Sequence, residues 1–83
     1  MEDDFVRIFC KENIYYSKGS SIHFNDVYKR FETFLNDKYP YISIPSKPEV
    51  ADMISSVLEN KIRMNGVWKN MKLHLPEYIV IES

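Results

Sequence analysis

PSKPEVADMISSVLENKIRMNGVWKNMKLHL, residues 45–75, reads as one helix followed directly by a two-stranded hairpin. Ser46 and Glu49 form an S-x-x-E capping box, in which hydroxyl and carboxylate satisfy free N–H groups of the first turn. Pro48 sits in that turn, where its missing donor costs nothing. Val50, Ala51, Met53, Ile54, Val57 and Leu58 then recur at helical spacing, which predicts one buried face over a helix from Ser46 to Asn60. Asn65-Gly66 lies between two alternating runs and predicts a two-residue type I′ turn, since both central residues of that turn need positive φ. Such a turn sets Met64 opposite Val67, Arg63 opposite Trp68 and Ile62 opposite Lys69. Alternation then places Ile62, Met64, Val67, Met71, Leu73 and Leu75 on a core face, with Lys69 as the polar intruder. The other face carries Lys61, Arg63, Trp68, Asn70, Lys72 and His74, cationic with an aromatic in it.

The remainder of the chain supplies what that unit packs on. Asp3 or Asp4 caps a first helix from about Asp4 to Asn13, with Phe5, Ile8 and Phe9 on its apolar stripe and Cys10 beside it. Ser17-Lys18-Gly19-Ser20 reads as a turn and Ser21–Phe24 as a short strand. Asn25 reads as the cap of a second helix, with Asp26 where the helix dipole favours a carboxylate. Phe24, Val27, Tyr28, Phe31, Phe34 and Leu35 share one side of it; Lys29, Arg30, Glu32, Asn36 and Asp37 form a solvated side. Pro40 ends it. Beyond Pro76, the segment to Ser83 alternates weakly around Tyr78–Ile81, as an edge strand or a docking tail.

The chain has 83 residues, the length of one domain with a thin core, here about 4–75 with a tail at 76–83. Its single cysteine excludes an intramolecular disulfide framework, and no Cys/His cluster has zinc spacing, so the expected compartment is reducing and intracellular. The acidic start MEDDFVRIF is neither a signal nor a transit peptide, and no apolar run approaches the roughly 20 residues of a membrane helix. A net charge of −1 argues against a generic nucleic-acid binder. The charge is uneven, however: residues 61–75 hold Lys61, Arg63, Lys69 and Lys72 and no acid, so an anionic partner would be met there.

The element order helix, strand, helix, helix, strand, strand matches a winged helix-turn-helix: an α+β domain of three helices with a small three-stranded antiparallel sheet. A small α+β domain with different packing is the alternative. Phe5-x-x-x-Phe9-Cys10, Val27-Tyr28-x-x-Phe31-x-x-Phe34, Pro45-Ser46-Lys47-x-Glu49 and Trp68-x-x-x-Lys72-Leu73 together resemble the C-terminal winged-helix domain of poxvirus-type and phage-type primase-helicases. The resemblance spans roughly Phe5 to Leu75 and rests mostly on apolar spacing. It implies a replication-associated domain whose third helix and wing touch nucleic acid. The motor motifs are absent, so no helicase or primase activity carries over. Asn70 stands where relatives often have a glycine before the final strand.

Catalytic chemistry finds no support in the residues: there is no G-x-x-x-x-G-K-[ST], H-E-x-x-H or G-x-S-x-G, and no carboxylate at a telling spacing from His23 or His74. No cofactor or metal is implied. Cys10, near an apolar stripe, reads as a small hydrophobe. Lys61, Arg63, Lys69 and Lys72 are expected to meet phosphates while Trp68 packs on sugar or base. The bland account of the same residues is a solvated sheet with Arg63 over Trp68 and lysines guarding an edge. Lys47 is a further phosphate candidate, and Ser55 and Ser56 are base-reading candidates on a helix whose Glu49, Asp52 and Glu59 repel phosphate. The expected partner is therefore DNA, bound weakly and with strong salt dependence. Other replication proteins or a second copy are the alternative partners, through the acidic third helix, the exposed tyrosines and the tail.

Overall fold

Val6, Phe9 and Cys10 lie on one side of helix α1 (Asp4–Asn13), Val27, Phe31, Phe34 and Leu35 on one side of α2 (Phe24–Lys38), and Val50 and Ile54 on one side of α3 (Lys47–Leu58); all are buried. The computed structural model describes residues 4–74, and in it these three faces close over the inner side of a two-stranded antiparallel sheet, β1 (Ile14–His23) with β2 (Val67–Leu73). The fold is α+β. Phe9 anchors the core, meeting Phe31 edge-on at 5.0 Å and Phe34 at 5.4 Å between ring centroids. Such pairs add about 0.5–1.5 kcal/mol each beyond their burial. Leu75, the 76–83 tail and Asp3, one of the two expected caps, lie outside what is described, and Asp4 is the first residue of α1.

α3 starts as its capping box predicts, with the Glu49 carboxylate accepting from both the backbone N–H and the hydroxyl of Ser46 at 3.2 Å. Its end is less comfortable. Glu59 is left-handed at φ 55°, and the Asn60 N–H closes the turn on the Ser55 carbonyl at 3.1 Å. A side chain in that conformation costs about 1–2 kcal/mol, and a carboxylate at a helix C-terminus opposes the dipole. Glycine removes both costs at some entropic expense. Glu59→Gly is expected to stabilise the domain by about 1 kcal/mol, read as a higher urea midpoint at unchanged slope.

α2 starts earlier than expected. His23, not Asn25, is its cap: the imidazole Nδ1 accepts from the Asn25 N–H at 3.1 Å. The Phe24 N–H donates to the Gly66 carbonyl at 2.7 Å, which clamps the start of α2 to the turn before β2. A Cβ on Gly66, at φ 81°, would sit 3.3 Å from His23 Nε2, so glycine serves both the backbone conformation and the close approach.

The hairpin expected around Asn65-Gly66 is realised one residue out of register. The Gly66 N–H donates to the Arg63 carbonyl at 2.9 Å, and the Arg63 N–H to the Val67 carbonyl at 2.8 Å. Gly66 is left-handed and Asn65 is not, so the loop is the three-residue kind in which glycine forms a bulge, not a type I′ turn. Arg63 rather than Met64 therefore faces Val67. The slip turns Trp68 inward and Lys69 outward, while Ile62 packs on the core and Lys61 and Arg63 are exposed as expected. Lys61–Met64 forms no strand, and the expected third strand is absent from the described residues.

A second irregularity lies in β1. Tyr16 pairs with Met71 and Ser21 with Lys69, so Ser17–Ser20, expected to be a free turn, is an excursion within one strand opposite Asn70 alone. The Gly19 N–H donates to Asn70 Oδ1 at 3.0 Å, and the Ser17 and Ser20 hydroxyls lie 3.0 Å apart. Asn70 is left-handed at φ 62°, a conformation asparagine tolerates. That kink inverts the alternation of β2. Trp68 points inward before it, Met71 and Leu73 pack toward the core after it, and Lys69 and Lys72 are both exposed. The apparent intruder Lys69 is thus an outward residue on a strand that changes phase.

Arg30, expected on a solvated side, is a tie between elements. Its guanidinium donates to Asn13 Oδ1 at 3.2 Å and to the His74 carbonyl at 3.0 Å, while the His74 N–H donates to the Asn13 carbonyl at 2.8 Å. Cys10 is buried, and burial pushes its thiol from the ordinary 9.0 up to about 11. The folded thiol stays neutral while the unfolded chain's ionises from about pH 9, so this contribution to stability is whole below pH 9 and lost as pH rises toward 11. Wild type is expected to lose up to roughly 2 kcal/mol more than Cys10→Ala across that window, by urea melts at stepped pH. At pH 8 the native thiol should resist a disulfide reagent that the urea-unfolded chain consumes at once.

Candidate nucleic-acid interface

The turned-over start of β2 removes the aromatic from the expected contact surface. Trp68 is wholly buried, against Phe24 at 6.1 Å between ring centroids, and its Nε1–H donates to Ser55 Oγ at 3.1 Å. Trp68 cannot pack on a sugar or base, and the Ser55 hydroxyl already accepts the indole. This corrects both expectations with one cause, the slipped register. Ser56 is exposed but turns toward α1, lining a cleft with Val6, Arg7, Asp52, Met53 and Val57. Lys47 is exposed at the start of α3, with its Nζ 5.6 Å from the centre of the Tyr28 ring. The helix length of about 18 Å separates it from the turn after α3.

The remaining four come together. The Asn60 side chain donates to the Lys69 carbonyl at 2.9 Å, which fastens the chain leaving α3 to β2. Lys61 and Arg63 are exposed before the turn, Lys69 and Lys72 on the strand after it, and the wholly exposed Met64 forms the tip. Lys18, missed in the sequence, joins them because the excursion in β1 docks on Asn70, between Lys69 and Lys72. None of these five cations has an ion-pair partner among the described residues, whereas Lys38 is paired with Glu12 at 3.5 Å.

No family model, curated protein or solved structure matches the chain. The geometry therefore carries the functional argument. The outward pairs of the sheet run from His23 opposite Val67, through Ser21 opposite Lys69, to Tyr15 opposite Lys72, with the exposed His74 beyond. Tyr15 and His74 lie 4.5 Å apart between ring centroids. Among the described residues the face contains no carboxylate. Glu59 stands at the end of α3, Asp26 in the first turn of α2, and Glu49 and Asp52 on α3 itself. The helices carry charges of both signs, whereas β1, the turn and β2 carry only positive ones, which concentrates the field that an anion meets there. The described residues gather no group of three metal-ligating side chains, and none of their helices is long and apolar enough to cross a membrane.

Proposed function

We propose that this is a non-enzymatic, intracellular DNA-binding domain of viral replication type, a winged helix whose tight turn at Arg63–Gly66 is the wing. The element order supports it, as do the pairing of β1 with the last described strand and the Arg63 N–H bond to the Val67 carbonyl, which lays the chain before the turn against β2. The observation that carries the reading is the grouping of Lys18, Lys61, Arg63, Lys69 and Lys72, all exposed, on an acid-free turn and sheet. Binding is backbone-directed and has little sequence preference, because α3 presents Glu49, Asp52 and Glu59 where a groove-reading helix carries donors. The test is fluorescence anisotropy of labelled duplex and single-stranded DNA at low and physiological salt, with wild type and with a Lys61/Arg63/Lys69/Lys72→Glu variant. Absence of binding to either form at low salt overturns the reading.

A cleft of about 230 Å³ between α1 and α3, with Arg7 and Asp52 on its walls, favours a second reading as a protein-interaction or self-association module. The exposed Ile8, Tyr16 and Tyr41 belong to the same reading. Its signature is a molecular size that grows with concentration in the absence of DNA.

A further inference from the structure

We propose that the outward face of the sheet takes single-stranded nucleic acid, with Tyr15 as the stacking platform and Lys72, Lys69 and Lys18 on the phosphates. This rests on the DNA-binding reading above and names the form of nucleic acid that the surface accepts. In a duplex the base faces are already stacked on one another and offer an aromatic side chain nothing but edges. In a single strand each base presents a free π-face, and a flat sheet carrying an exposed ring between cations can receive it.

Tyr15 has the required placement. It is 39% exposed, lies directly across from Lys72, and is flanked by the His74 ring at 4.5 Å. The platform is held before any ligand arrives: the His74 backbone is bonded on one side to the Asn13 carbonyl and on the other to the Arg30 guanidinium. A ring fixed in this way loses little freedom on stacking, so more of the contact energy appears as affinity. Tyr16, 65% exposed, leads from this platform into the excursion that carries Lys18. The seven residues of β2 extend over about 23 Å, room for a run of about four nucleotides. The shared chemistry is a base plane followed by phosphates, which single-stranded DNA and RNA both supply.

The whole chain is titrated at low salt against fluorescein-labelled dT12, rU12, an abasic 12-mer and a 12-base-pair duplex. The expected result is that dT12 binds more tightly than the abasic strand by about fivefold or more, since each stacked base contributes roughly 1–3 kcal/mol. Tyr15→Thr, a residue at home in a strand, should weaken dT12 by about 5- to 150-fold, leave the duplex within about twofold, and be matched to wild type by Tyr15→Phe. The abasic comparison uses unaltered protein, so it decides the matter even if a variant misfolds. Equal affinity for dT12 and the abasic strand overturns the inference, as does an equal loss on duplex and single strand in a folded Tyr15→Thr variant. Duplex binding without dT12 binding defeats this inference and leaves the DNA-binding reading standing; no binding to any probe defeats both. A preference between dT12 and rU12 assigns the source, and either order supports the site.

Discussion

Trp68→Ala is expected to cost about 3–5 kcal/mol, against a total stability of about 5–15 kcal/mol for a domain of this kind. The indole is the largest wholly buried side chain, and it sits where α2, α3 and β2 meet. Truncation removes its burial and leaves a void lined by Phe24 and its neighbours. It also strips Ser55 of the N–H that its hydroxyl accepts. Trp68→Phe keeps most of the packing and loses chiefly that bond, at about 1 kcal/mol beyond the volume change. Urea melts followed by circular dichroism measure both. In the wild type, acrylamide should barely quench the tryptophan emission, and DNA should leave it nearly unchanged. A cost below about 1 kcal/mol for Trp68→Ala would put the indole on the surface, as the two-residue turn requires, and would overturn the register described here.

The second large effect is on binding. With four phosphate contacts at the turn, log K falls by about 0.9 per contact for each tenfold rise in salt, so raising salt from 50 to 200 mM weakens duplex binding by roughly a hundredfold. Reversing Lys61, Arg63, Lys69 and Lys72 to glutamate together replaces each attraction with a repulsion and should abolish duplex binding at every salt concentration tested. All four side chains are exposed, so the variant should fold. Lys47→Glu, about a helix length away, should weaken binding by far less. Comparable losses from the two variants would mean that the contact surface runs along α3 instead of the turn and sheet.

The separation between what sequence alone supplies and what it does not follows the range of the forces involved. α1 from Asp4 to Asn13, the capping box at Ser46 and Glu49, the buried stripe of α2 and its stop before Pro40 are all readable. Each depends on residues within a turn or two of one another, through helical spacing, caps and proline geometry. The cationic character of residues 61–74 is readable for the same reason, because charge composition is a property of the segment and not of its partners.

Which way each side chain of that segment points is another matter. Asn65-Gly66 is compatible with a two-residue turn or with a three-residue turn that ends in a glycine bulge, and the two differ by one residue of register. The choice is made at a distance. Trp68 fills the space beside Phe24 and reaches Ser55, and the Gly66 carbonyl receives the Phe24 N–H, contacts between residues far apart in the chain. A tight glycine next to His23 is part of the same arrangement. Likewise, nothing local in Ser17-Lys18-Gly19-Ser20 distinguishes a free turn from an excursion within a strand. The Asn70 side chain, 51 positions from Gly19, receives its N–H and makes it the latter. Local sequence therefore determined the helices and the sign of the charge on the last described strand. Tertiary packing decided the faces, burying Trp68 and turning Tyr15 outward beside Lys72, because a strand's orientation is set by the partner whose hydrogen bonds and core volume it must satisfy.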